Sequence, residues 1–74
     1  MSDWGEQQQV ARAREVLALL ISRPRKAYEI TELCALTFDE TLETLEWLRA
    51  KGYANRLDII GELHSDWVAL RAME

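Results

Sequence analysis

Seventy-four residues at 8.6 kDa leave room for one small domain, read as residues 1–74, and not for a second core. A hydrophobic share of 49% with 30% charged residues excludes a disordered chain, and a net charge of -4 with a pI near 4.9 argues against simple attraction to phosphates. The single cysteine, Cys34, excludes an internal disulfide and leaves too few thiols for a common zinc or iron-sulfur site, so no metal or cofactor is expected.

The longest apolar run, residues 16–21, is far short of the roughly 18 residues a membrane span requires. Residues 1–9 carry Asp3 and Glu6 and lack a basic stretch followed by an apolar one, so no secretory signal is read there. The expectation is a cytoplasmic protein with no membrane partner. Residues 1–7 are read as a flexible tail containing Trp4, which is either loose, docked on the body or an exposed partner contact.

In residues 7–21 the apolar positions Val10, Ala13, Val16, Leu17, Leu20 and Ile21 recur at three- and four-residue steps, which predicts a first helix. Pro24 ends it, because the residue before a proline is pushed out of helical backbone. A loop through Arg25 and Lys26 follows. Residues 28–36 predict a second, short helix with Ile30, Leu33 and Cys34 inward and Leu36 as a further inward candidate. Thr37 or Asp39 can cap a third helix reaching about Lys51, in which Leu42, Leu45 and Leu48 form the expected buried stripe. Gly52 stands where a left-handed cap is needed.

Beyond Gly52 the pattern changes. Tyr53, Leu57, Ile59 and Ile60, then Trp67, Val68 and Leu70, are aromatic and branched residues around a polar stretch at 61–66. Two short antiparallel strands fit this pattern better than a fourth helix.

The fold class read from these elements is α+β. Their order resembles a winged helix-turn-helix, three helices followed by a two-stranded antiparallel wing, over roughly residues 8–71. The stretch from Glu29 through Ile30, Leu33, Cys34, Leu36 and Thr37 to Thr41 resembles the helix-turn-helix of that superfamily, without the glycine often found in its turn. Leu45, Trp47, Leu48, Arg49, Lys51, Gly52 and Tyr53 resemble the end of its recognition helix. Asp66, Trp67, Val68, Ala69, Leu70 and Arg71 resemble the last wing strand of the small winged-helix proteins of bacterial ferrous-iron transport. This chain lacks their cysteine cluster, so the likeness implies shared wing architecture and not shared function.

The resemblance implies that the third helix would face a DNA major groove, and its residues oppose that use. Asp39, Glu40, Glu43 and Glu46 precede the first base, Arg49, and residues 38–74 hold eight acids against four bases, while residues 1–37 are balanced at five each. Carboxylates placed against a duplex meet repulsion and lose hydration. The same groups at the start of a helix also suit its dipole, and on its outer side they suit solvent.

With the three leucines inward, Asp39, Glu40, Glu43, Thr44 and Trp47 are expected outward or on the flanks. They form the candidate protein-binding surface of a non-enzymatic, regulatory module. Trp47 either seals the core or anchors a partner, and Trp67 reads as hairpin core. The alternative is a DNA-binding regulator touching phosphates through Arg49, Lys51 and Arg56. Leu19 on the first helix is read either as a homodimer contact or as a partly covered surface leucine. His64 reads as a solvated turn residue and Cys34 as small core, so no nucleophile or catalytic pair is expected.

Overall fold

The computed structural model of the chain describes residues 2–57 and 64–73, with side chains from Gln7 onward. Three helices, α1 (Ser2–Ser22), α2 (Ala27–Cys34) and α3 (Phe38–Ala50), combine with three short strands, β1 (Arg25–Lys26), β2 (Ala54–Arg56) and β3 (Asp66–Ala69). The class is α+β, as expected. The sheet is antiparallel with β3 in the centre, in the order β1-β3-β2, and so has three strands where two were expected.

The third strand comes from the supposed loop. Arg25 pairs with Trp67 and Lys26 with Asp66, and the Lys26 ammonium donates to an Asp66 carboxylate oxygen at 3.0 Å. Two residues of polar sequence carry no alternation, so this strand exists only because β3 arrives beside it.

Helix α1 begins at Ser2, ahead of the expected start at Gln7. It buries Ala13, Val16, Leu17 and Leu20, while Ile21, expected inward, is 54% exposed. In α2, Ala27 and Ile30 are buried and Cys34 is half-buried. Leu33, expected inward, is 57% exposed because it lies about a quarter of a turn around the helix from the Ala27–Ile30–Cys34 line.

Both helix ends close on left-handed residues. At the end of α3, Gly52 has φ 82°, its N–H donates to the Arg49 carbonyl at 3.0 Å, and the Tyr53 N–H donates to the Leu48 carbonyl at 2.9 Å. That is the paired bonding of a Schellman cap. At the end of α2 the same role falls to Ala35, at φ 55° and ψ 41°, with its N–H and that of Leu36 directed to the Thr31 carbonyl. Alanine in this region carries Cβ strain that glycine escapes.

The core joins the α1 residues to Ile30, Leu45, Leu48, Ala54 and Trp67. Trp67 takes the hairpin-core place read for it and is only 1% exposed. Its indole N–H has no acceptor among the described residues. The expected strand residues Ile59 and Ile60 and the turn residue Gly61 lie outside the described residues, as does the side chain of Trp4. No helix among the described residues is long and apolar enough to cross a membrane.

Candidate functional site

The third helix is fixed at its start by a reciprocal cap. The Thr37 hydroxyl accepts from the Glu40 N–H at 3.1 Å, and a Glu40 carboxylate oxygen accepts from the Thr37 N–H at 2.9 Å. Glu40 is also turned toward α1, where Arg12 stands 3.7 Å from it and 3.9 Å from Glu43. The Thr37 N–H, and then Arg12, hold the Glu40 carboxyl below the usual carboxylate range against the opposing pull of burial.

The buried stripe of α3 is Thr41, Thr44, Leu45 and Leu48. Leu42, expected in that stripe, is only half-buried. Thr44, expected on the candidate surface, is fully buried, so it cannot meet a partner. The physical reason is that a threonine can satisfy its own hydroxyl inside a helix: Thr44 donates to the Glu40 carbonyl at 2.7 Å. Thr41, also fully buried, shares a 2.8 Å hydrogen bond with the Thr31 hydroxyl of α2. With both polar groups paired, these residues pack like valines, and the core direction of α3 lies between the threonines and the leucines.

At about 100° per residue, a core direction set by residues 41, 44, 45 and 48 places Asp39, Glu43, Glu46 and Ala50 on the outward side. All four are exposed. Asp39 has no hydrogen-bond or ion-pair partner among the described residues. Glu46 is bound by Arg49, whose guanidinium donates to it at 2.6 and 3.1 Å. Phe38 and Leu42, one turn apart, run along one flank, and Phe38 is 51% exposed. Trp47 and Glu40 occupy the other flank. Trp47 is half-buried and packed against the core, with the Lys51 ammonium 5.6 Å from its ring centre.

The basic residues of the alternative site are already engaged. Arg49 is paired with Glu46, Lys51 stands over Trp47, and the Arg56 guanidinium lies 5.9 Å from the centre of the Trp67 ring. One further base, not recognised in the sequence, joins them. Arg71 lies 4.4 Å from the Tyr53 ring centre and donates to the Lys51 and Gly52 carbonyls at 3.2 and 3.4 Å. It thereby caps α3 from the far end of the chain. Its separation of 19 and 20 residues from those carbonyls leaves no local pattern that could have revealed it.

The other chemistry-bearing side chains among the described residues do not converge. Among the described residues no group of three or more His, Cys, Asp or Glu side chains could hold a metal ion. His64 is exposed, with its ring edge-on to Tyr28 at 5.7 Å. Burial, and then Glu15, push the Cys34 thiol above its ordinary range, which makes the thiolate scarce at neutral pH. Leu19 is half-buried, and its carbonyl accepts from the Arg25 guanidinium at 3.1 Å. No protein-family model matches the chain, and neither a curated protein nor a solved structure is found to be similar to it.

Proposed function

We propose that this chain is a non-enzymatic, winged-helix-type regulatory module that binds a protein partner through the outward side of α3. The element order, with two helices joined by the tight turn at Ala35–Thr37 and followed by β2 and β3, supports the winged arrangement. The observation that carries the functional reading is the exposure of Asp39, Glu43 and Glu46 beside the half-exposed Phe38. A partner with a basic surface and an apolar recess fits that edge, because a phenyl ring supplies buried area while the carboxylates select the sign of the partner's charge. Glu40 and Trp47 act from the flank, Glu40 by fixing the start of the helix and Trp47 by covering the core.

DNA is the weaker ligand for this surface. Arg49, Lys51 and Arg56 each lie against a carboxylate or an aromatic ring of the chain itself. Releasing them to phosphates would forfeit those contacts while three carboxylates remained facing the duplex.

The test combines two measurements. Affinity capture from the native host, with and without nuclease, should retain the same protein in both arms and lose it with the Asp39→Lys, Glu43→Lys double variant. Fluorescence anisotropy with a labelled duplex at about 50 mM salt should show no binding, whereas salt-sensitive binding there would establish the DNA reading instead.

A further inference from the structure

We infer that the groove between α1 and the C-terminal segment receives the α3 edge of a second copy of this chain, so that copies associate head to tail. This rests on the reading of α3 as a protein-binding face and names a partner for it. The groove consists of two adjoining depressions of ≈ 270 and ≈ 240 Å³ that share Ile21 and Ala72 in their walls. Ile21 and Leu70, at 54% and 58% exposure, offer apolar surface to solvent there. Among the described residues, Arg14 and Arg71 are the charged residues of the two walls, and no carboxylate of a described residue lines either one. Arg14 has no ion-pair partner among the described residues, and Arg71 rests on a ring and on backbone carbonyls.

The chain carries the complementary chemistry on its other side. Phe38 presents a half-exposed ring with Asp39 next to it, and the exposed Glu43, which Arg12 of the same chain approaches at 3.9 Å, lies one turn further along the helix. The two surfaces cannot meet within one molecule. Arg12, which pairs with α3, and Arg14, which lines the groove, are about 200° apart around α1, so the groove faces away from α3. Two copies that each carry a net charge of -4 repel one another unless acid meets base. The orientation that sets Asp39 and Glu43 against Arg14 and Arg71 answers that requirement and inserts Phe38 between Ile21 and Leu70. Such a contact joins two different surfaces and is heterologous, leaving one free groove and one free α3 edge on every assembly that does not close into a ring.

Sedimentation velocity over a concentration series tests this. The average mass should rise with concentration and return toward the monomer as salt is raised, because the contact is charge-led. Ile21→Glu, which fouls the groove, and the Asp39→Lys, Glu43→Lys variant, which reverses the edge, should each weaken association by about tenfold or more. All three positions are exposed, and unchanged circular dichroism shows that the fold is kept.

An equimolar mixture of the two weakened variants should recover association and stop at a one-to-one pair, because one partner lacks the groove and the other lacks the edge. A monomer at every concentration, association that survives both variants, or a mixture that fails to pair would each overturn the proposal, the last two pointing to a symmetric contact or another surface. If the chain stays monomeric while the α3 variant loses a host protein, the head-to-tail contact falls and the α3 reading stands. If the α3 variant alters neither self-association nor capture, both fall.

Discussion

Replacing Ala35 by glycine should stabilise the protein, although the same replacement elsewhere in its helices should do the opposite. Ala35 sits at φ 55° and ψ 41° in the turn between α2 and α3, and its side chain is exposed, so the change removes no core contact. A left-handed alanine costs about 1–2 kcal/mol relative to relaxed backbone. Glycine escapes that cost but gives the unfolded chain extra freedom worth about 0.4–1 kcal/mol. The balance favours Ala35→Gly by roughly 0.5–1 kcal/mol, which in a domain of this size raises the melting temperature by about 2–8 °C. The control is Ala18→Gly, at an exposed position in the interior of α1, where right-handed backbone offers glycine no relief and a loss of about 1 kcal/mol is expected. Thermal and urea denaturation followed by tryptophan fluorescence, with Trp47 and Trp67 as reporters, measures both. If Ala35→Gly destabilised the protein by as much as Ala18→Gly, the turn would not be left-handed at Ala35 and the placement of α3 against α2 would be wrong.

Three further outcomes follow from the same geometry. The Glu29 carboxyl is held down chiefly by the Lys26 N–H and that of Glu40 by the Thr37 N–H, so the unfolded chain takes up protons first. Their stabilising effect is complete above the unfolded value of 4.5 and is lost as pH falls through the lower folded values, and Glu29→Gln with Glu40→Gln should flatten that part of the stability profile measured by urea titration. Arg71→Ala should cost about 1 kcal/mol in urea denaturation through the lost carbonyl bonds and ring contact, with Arg71→Lys recovering only part of it. A double-mutant cycle of Thr31→Val and Thr41→Val should return a coupling of about 0.5–1.5 kcal/mol, and a coupling near zero would mean that the 2.8 Å bond between α2 and α3 contributes nothing.

The legibility of the candidate site followed the range of the interactions involved. The acidic character of residues 39–46 is a matter of composition, and the exposed positions of Asp39, Glu43 and Glu46 follow once α3 is a helix with Leu45 and Leu48 inward. The face was nonetheless misjudged at Thr44 and Leu42. Treating threonine as polar and leucine as buried rotated the helix about its axis, whereas a threonine bonded to the carbonyl one turn back is admitted to the core and lets a leucine drift to its edge. The groove beside α1 could not be read at all, since Arg14 and Ile21 face Leu70 and Arg71 from about 50 residues away in the chain.

By itself the sequence determined the course of α1 and α3 and where those two helices stop: apolar spacing marks both, Pro24 stops the first, and Gly52 closes the third. It also determined the sign of the charge along α3. These are properties of neighbouring residues, settled by torsional preference, hydrogen bonding within a few positions and simple count. Only the tertiary structure decided that Arg25 and Lys26 form an edge strand, that Arg12 binds Glu40 and Glu43, and that Arg71 caps a helix from the opposite end of the chain. Each of these depends on segments brought together by burial of a shared core, and burial records which residues are apolar without recording which distant groups will then stand face to face.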